Sequence, residues 1–335
     1  MLGVIYENTG STRPDLMILN REATKSIRSA FGKTLEKLGH INSNIVVLDA
    51  DLACSTQTQF FAKSFPDRFF DCGISEQDMI ATSAGLASAG KIPFAASFAM
   101  FATGRTYDQI RNSVCYPEFN VKIIGTHGGV TVGEDGASHQ ALEDVALMRG
   151  LPNMTVIVPA DCRECEEVIK FAASTYGPMY IRISRTNVCD VFDENYKFEP
   201  YKAVIIEDGT DASVITNGET LAEVIQACQN LKKEGYSIRI VHAPFVKPFD
   251  SEIVIDSAKK TGLVITVENH SVIGGLGSAV CEVLSEYYPS KVKRIGIYDK
   301  FGQSGKAEFL LDYYGLSASK LTNSIKDEIE KYKKD

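Results

Sequence analysis

The sequence carries no excess of cations: 35 Lys+Arg stand against 43 Asp+Glu, a net charge of −8. A net negative chain does not suggest a nucleic-acid binder, because phosphate backbones recruit clustered cations. No apolar run approaches the ~20 residues needed to cross a bilayer, so no membrane partner is expected. Residues 1–6, Met-Leu-Gly-Val-Ile-Tyr, have neither the basic lead nor the long apolar stretch of a secretory signal. There is no repeat of ~20–50 residues and no low-complexity tract. The eight cysteines are scattered. The pair in Cys162-Arg-Glu-Cys165 opens a helix of ordinary residues with no second pair nearby, and reads as a chance spacing rather than a redox centre. These absences point to the reducing cytoplasm. What is present is a globular composition, 44% hydrophobic and 23% charged over 335 residues, which suits about two domains.

Apolar patches alternate between helical and strand periods. Residues 21–39 carry Ala23, Ile27, Ala30, Phe31, Leu35 and Leu38 at helical spacing and stop at Gly39. Ile45-Val-Val-Leu48 follows, a run fit for a strand buried on both faces. The alternation then predicts a helix over 75–89, a strand at 93–97, a helix over 105–115, and strands at 121–125, 155–158 and 179–183. Residues 186–202 have no clear period and read as a linker. Beyond them, strands are predicted at 212–216, 238–241, 263–267 and 292–297, and a charged helix at 317–333. The pattern predicts an α/β protein of two domains, 18–190 and 203–330, each with a mainly parallel sheet flanked by helices. Ligands of such sheets lie beyond the carboxyl ends of the strands. Four predicted ends carry suitable residues: Asp49, Asp51 and Ser55; Gly73-Ile-Ser-Glu76; Ser97-Phe98; and Thr126-His127.

Each constellation has a plain reading beside a functional one. Ser75 with Asp78 fits a helix cap, and Glu76 in the first turn suits the helix dipole, so Glu76 alone could be a surface carboxylate. The segment behind it, Met79-Ile-Ala-Thr-Ser-Ala-Gly-Leu-Ala-Ser-Ala-Gly90, is small and apolar, which predicts a buried helix. A carboxyl group at the mouth of a buried helix is suited to acid–base work. Phe98 and Phe101 share a face if helical; they pack a core, or they pack a flat heterocycle. The loop 125–140 gathers glycines, which let a backbone approach a ligand, with His127, Asp135 and His139. Those side chains can hydrogen-bond a polyhydroxylated substrate and pass protons, and their spacing does not suggest a metal site. Gly274-Gly-Leu-Gly277 lacks the third glycine of a dinucleotide fingerprint, with Val280 in its place, and reads as a tight turn. His270 beside it is given no catalytic role.

Taken in order, these motifs resemble the carboxyl-terminal half of transketolase over residues 20–325. The resemblance is carried by Asp51-Leu-Ala-Cys-Ser55, Gly73-Ile-Ser-Glu76, Phe98-Ala-Met-Phe101, Gly133-Glu-Asp-Gly136 with His139-Gln140, and Ile183-Ser-Arg185. Phe245-Val-Lys-Pro-Phe-Asp250, Val267-Glu-Asn-His270 and Phe301-Gly-Gln-Ser-Gly-Lys306 are similar to the family's third domain. The resemblance implies a pyrimidine-binding domain of a thiamine-diphosphate enzyme followed by a transketolase C-terminal domain. It implies one subunit of a split transketolase, because the Gly-Asp-Gly and paired-asparagine motif of the diphosphate domain is not matched.

By the same resemblance, a two-carbon ketol unit passes from a ketose to an aldose on thiamine diphosphate. Glu76 would share a proton with the pyrimidine, with His139 and Asp135 as further catalytic residues. Asp51, Phe98 and Phe101 would complete the cofactor contacts. Lys25, Ser55, His127, Asp135, His139 and Arg185 would bind the sugar, a phosphate or similar anion. The family has Tyr at the place of Gly104 and Arg at the place of Lys25, so a point charge replaces a planar fork there. A Mg2+ or similar divalent ion would be held mainly by an amino-terminal partner subunit, with two chains of each kind assembling. The setting would be carbohydrate metabolism of the pentose-phosphate type in the cytoplasm. Three other readings stand: a deoxyxylulose-phosphate synthase-like chain, the beta-type subunit of a 2-oxo-acid dehydrogenase, and a non-enzymatic regulatory paralogue that keeps the fold.

Overall fold

The computed structural model describes residues 17–334; the stretch 1–6 read above for a leader lies outside the described residues. The described strands are β1 (Met17–Ser26), β2 (Ile45–Asp49), β3 (Phe69–Asp71), β4 (Ile92–Phe98), β5 (Lys122–Thr126), β6 (Thr155–Ile157) and β7 (Met179–Ile183). They continue with β8 (Asn187–Phe192), β9 (Val204–Glu207), β10 (Ala212–Thr216), β11 (Ile238–His242), β12 (Phe245–Lys247), β13 (Leu263–Ser271) and β14 (Lys291–Ile297). The first sheet runs β12-β6-β7-β5-β4-β2-β3 and is parallel except for β12, which lies antiparallel to β6 at the edge. The second runs β14-β13-β10-β11-β9 and is parallel except for β9. Helices cover the sheets, and β2, β5, β7, β10 and β11 are buried along their full length, as expected of strands packed on both faces.

Two readings of the sequence are corrected here. The first helix spans Ile27–Ile41 rather than starting at 21, because Ser26 caps it: its hydroxyl accepts from Ser29 N at 3.2 Å. Residues before the cap belong to β1, which pairs antiparallel with β8, Lys25 opposite Val188 and Ser26 opposite Asn187. The segment 186–202 is therefore not all linker. Two irregularities in the pairing register break the alternation that would have revealed this ribbon.

The helix Glu76–Ser88 is also not buried all round. It buries Glu76, Met79, Ile80, Ser83 and Ala84 and leaves Gln77, Asp78, Ala81 and Gly85 exposed, with nothing within contact of a side chain added at Gly85. Among the described residues no helix is long and apolar enough to cross a membrane.

The two sheets are tied by buried polar groups. Glu164 accepts from the Tyr196 hydroxyl at 2.8 Å and meets His242 Nε2 at 2.8 Å, while Asp161 receives the amides of Val191 and Phe192. Arg182 contacts Asp144 at 2.9 Å and donates to the Asn269 carbonyl at 2.8 Å. Each buried charge thus has partners, as burial requires.

Candidate active site

Strands β2, β3, β4, β5 and β7 run parallel and end on one edge of the first sheet, so the residues that follow them converge. Glu76 begins its helix just after β3 and is 3% exposed. Its Oε1 accepts from Arg105 Nη1 at 2.7 Å, a partner absent from the sequence reading. The Arg105 guanidinium lies 4.4 Å from the centroid of the Phe101 ring. No motif marks Arg105; only its place one residue after Gly104 in the Phe98 segment could have suggested it.

The aromatic pair forms one wall. Phe98 and Phe101 stack with centroids 5.9 Å apart, and His127 stacks on Phe98 at 3.8 Å. His139 meets Phe101 edge-on at 5.2 Å. Phe101 is part-exposed and carries the Arg105 guanidinium that pairs with Glu76, whereas Phe98 is buried against Phe101 and His127. His127 sits at φ 61, a strained conformation for a residue other than glycine. Its Nδ1 lies 2.9 Å from the Thr126 hydroxyl. Burial, then the charges of Arg28, Arg185 and His139, push its pKa down to about 3, so its ring is neutral at physiological pH.

The glycine-rich loop is held from the second sheet's side. Gly133 and Gly136 have φ of 85 and 77, and Gly136 faces Ser304. Gln140 Nε2 donates to the carbonyls of Val130 and Gly133 at 3.2 Å and of Gln303 at 2.9 Å. Asn269 Oδ1 accepts from Val130 N at 3.0 Å, and Asn269 Nδ2 donates to Glu219. Glu219 also receives Thr131 at 2.7 Å and the hydroxyls of Ser184 and Thr186. The motifs at 267–270 and 301–306 therefore act as scaffolding for the loop that presents Asp135 and His139. Asp135 is exposed at the tip. The His139 ring lies 2.9 Å from the Ser138 hydroxyl.

At the rim, Arg185 donates to the Val132 carbonyl at 2.5 Å and pairs with Glu134 at 3.3 Å. Arg28, in the first turn of its helix, donates to the Ser55 carbonyl at 2.6 Å. Burial and the Arg185 charge lower the pKa of Arg28. The Nε of Arg28 and the hydroxyl of Ser97 are buried without a hydrogen-bond partner among the described residues. Lys25 is not brought to this group. It lies on β1 ahead of the cap, 2.5 Å from Asp190 on β8, and Arg28 stands by Ser55 instead.

Asp51 is exposed at φ 62, its amide held by Asp71 at 3.0 Å. Asp49 behind it is buried, receives the Thr56 and Thr58 hydroxyls at 2.7 and 2.9 Å, and has its pKa raised by burial to about 6. Asp49 braces the turn that carries Asp51 and Ser55. The Cys162 and Cys165 thiols are buried; burial pushes the first up to about 12 and the second well above its usual value, so neither presents a thiolate.

This chemistry fits a flat nitrogen heterocycle: aromatic faces, a buried carboxylate joined to them through Arg105, and buried donors without a partner among the described residues. Comparison with known proteins agrees. Residues 23–190 match the transketolase pyrimidine-binding domain and residues 201–321 the transketolase C-terminal domain. The chain is 49% identical over 310 residues to a putative transketolase C-terminal section from Methanocaldococcus jannaschii, covering 92% of this chain and 97% of that one. It is 37% identical over 305 residues to a 6-deoxy-6-sulfo-D-fructose transketolase subunit from a Clostridium species, covering 91% and 95%. A solved structure described as a split gene transketolase, inactive beta4 tetramer, superposes with a TM-score of 0.84 at 48% identity, covering 91% of this chain and 98% of that one.

Proposed function

This chain belongs to the transketolase family, and we propose that it is the pyrimidine-side subunit of a split transketolase, active only with an amino-terminal partner subunit. Its pyrimidine-binding unit is assigned to 18–190 and its C-terminal unit to 203–330. The observation that carries the reading is Glu76: a carboxylate 3% exposed that follows a strand end and pairs with Arg105, whose guanidinium lies on the Phe101 ring. Relatives of the same extent support the split, one called a C-terminal section and one a split gene product. The latter is described as inactive as a beta-only tetramer, which supports the need for a second kind of subunit. An assembly of two chains of each kind follows from that reading.

When bound, thiamine diphosphate supplies the nucleophilic carbon that takes a two-carbon ketol unit from a ketose and delivers it to an aldose. Glu76 holds or releases a proton at the pyrimidine ring nitrogen. Phe98 and Phe101 would pack against the ring, and Asp51 would lie near the cofactor. Asp135 and His139 orient the sugar hydroxyls, with His139 placed to pass a proton. His127, neutral under working conditions, donates or accepts without adding charge. Ser55, Arg28 and Arg185 hold the anionic end, the two guanidiniums offering planar forks to oxyanions. Two guanidiniums and an uncharged imidazole suit a phosphate; the sulfonated sugar named for one relative has the same fork-shaped recognition but a single charge. The divalent ion belongs mainly to the partner subunit, and the setting is cytoplasmic carbohydrate metabolism of the pentose-phosphate type.

Replacing Glu76 with Ala in the assembled complex should lower turnover about 10²–10⁴-fold, the usual range for removing an acid–base group. Assembly, followed by analytical ultracentrifugation, should be unchanged. Full turnover in that variant removes Glu76 from the mechanism. Ketose phosphates should serve as donors in the wild-type complex, and pyruvate should not.

A further inference from the structure

Arg105 touches two of the groups assigned above to the pyrimidine ring. Its Nη1 donates to Glu76 Oε1 at 2.7 Å, and its guanidinium carbon lies 4.4 Å from the Phe101 centroid. A guanidinium is flat and carries its N–H donors in plane, so it can lie on an aromatic face while its edge meets a carboxylate. A pyrimidine ring packed on Phe101 and sharing a proton with Glu76 needs the same face and the same carboxylate.

We propose that the Arg105 side chain is a latch that holds the pyrimidine seat in the cofactor-free protein and is displaced when the cofactor's ring arrives. The proposal rests on the reading of Glu76 given above. The surroundings favour movement of Arg105 rather than of Glu76. Glu76 is 3% exposed and cannot turn to solvent, whereas the Arg105 side chain is 46% exposed. The backbone at Arg105 is anchored, since Gln77 Nε2 donates to its carbonyl at 3.0 Å, so only the side chain needs to swing. Residue 104 is a glycine, and a Cβ there would meet only Met100, at 3.4 Å or more. No side chain at that position cages the guanidinium. The device gates the site: cofactor binding must break one ion pair and one cation–π contact.

The test is calorimetric titration of thiamine diphosphate into the assembled complex, using wild type, Arg105→Ala and Arg105→Lys. A part-exposed ion pair and a cation–π contact together predict that Arg105→Ala tightens Kd by about three- to thirtyfold. Arg105→Lys keeps the charge without the planar fork and should fall between the two. In a crystal structure of the loaded complex, the guanidinium should have left Phe101. Unchanged or weaker binding in Arg105→Ala, or a guanidinium still on Glu76 beside the bound ring, overturns the latch. Glu76→Gln separates this from the underlying reading: full turnover there defeats the assignment of Glu76, whatever Arg105 does.

Discussion

Among single residues, the site was legible where chemistry and position coincide. Glu76, Phe98, Phe101, His127, His139 and Arg185 all follow ends of parallel strands, and the structure gathers them at one edge. Two cations near the proposed site, Arg28 and Arg105, differ in how the sequence could have pointed to them. Lys25-Ser-Ile-Arg28 contains its own answer: Ser26 is a capping residue, so Lys25 falls outside the helix and Arg28 inside its first turn. Arg105 had no such signal, because a side chain that folds back onto a ring leaves no periodicity. The exchange of Lys25 for Arg28 is testable in the assembled complex. Arg28→Ala should raise KM for an anionic sugar about 10–100-fold, the worth of a charge-assisted hydrogen bond. Lys25→Ala should change KM less than about twofold, because an exposed pair such as Lys25–Asp190 contributes little. Steady-state kinetics with both variants decides, and equal losses would return Lys25 to the site.

At the scale of elements, periods of hydrophobicity predicted the buried strands well, since a run such as Ile45-Val-Val-Leu48 admits few other structures. They failed at the β1–β8 ribbon, where bulged pairing destroys the alternation. They also misjudged the helix Glu76–Ser88. Small apolar residues predict a buried helix, yet Ala81 and Gly85 are exposed in this chain. Small side chains permit close packing but do not say which body packs.

Under the proposed function, the glycine-rich loop is the element on which sugar binding depends. Gly136 takes φ 77, and a Cβ there would lie 2.5 Å from the Ser304 hydroxyl oxygen. Gly136→Ala should therefore cost about 1–3 kcal/mol of stability through backbone strain. It should also raise KM for the sugar more than Kd for thiamine diphosphate, because the loop carries Asp135 and His139. Thermal denaturation with parallel kinetics checks this, and an unchanged Tm would show that the loop relaxes freely.

For the whole molecule, two parallel sheets were foreseen from alternation alone. Their interlocking was not: β12 lies among residues read as the second unit but extends the first sheet, and Asn269 and Gln303 reach across to brace the loop of the first. Such ties come from pairings far apart in sequence, which local patterning does not encode. The molecule so built offers a carboxylate, two rings and two guanidiniums on one edge, and under the proposed function the cofactor's diphosphate end belongs to another chain. The most direct measurement is thiamine diphosphate binding and ketol transfer by the purified chain alone and after mixing with the diphosphate-side subunit. The prediction is no tight binding and no turnover alone, with both appearing in the mixture. Tight binding and sugar turnover by the solitary chain would contradict the account.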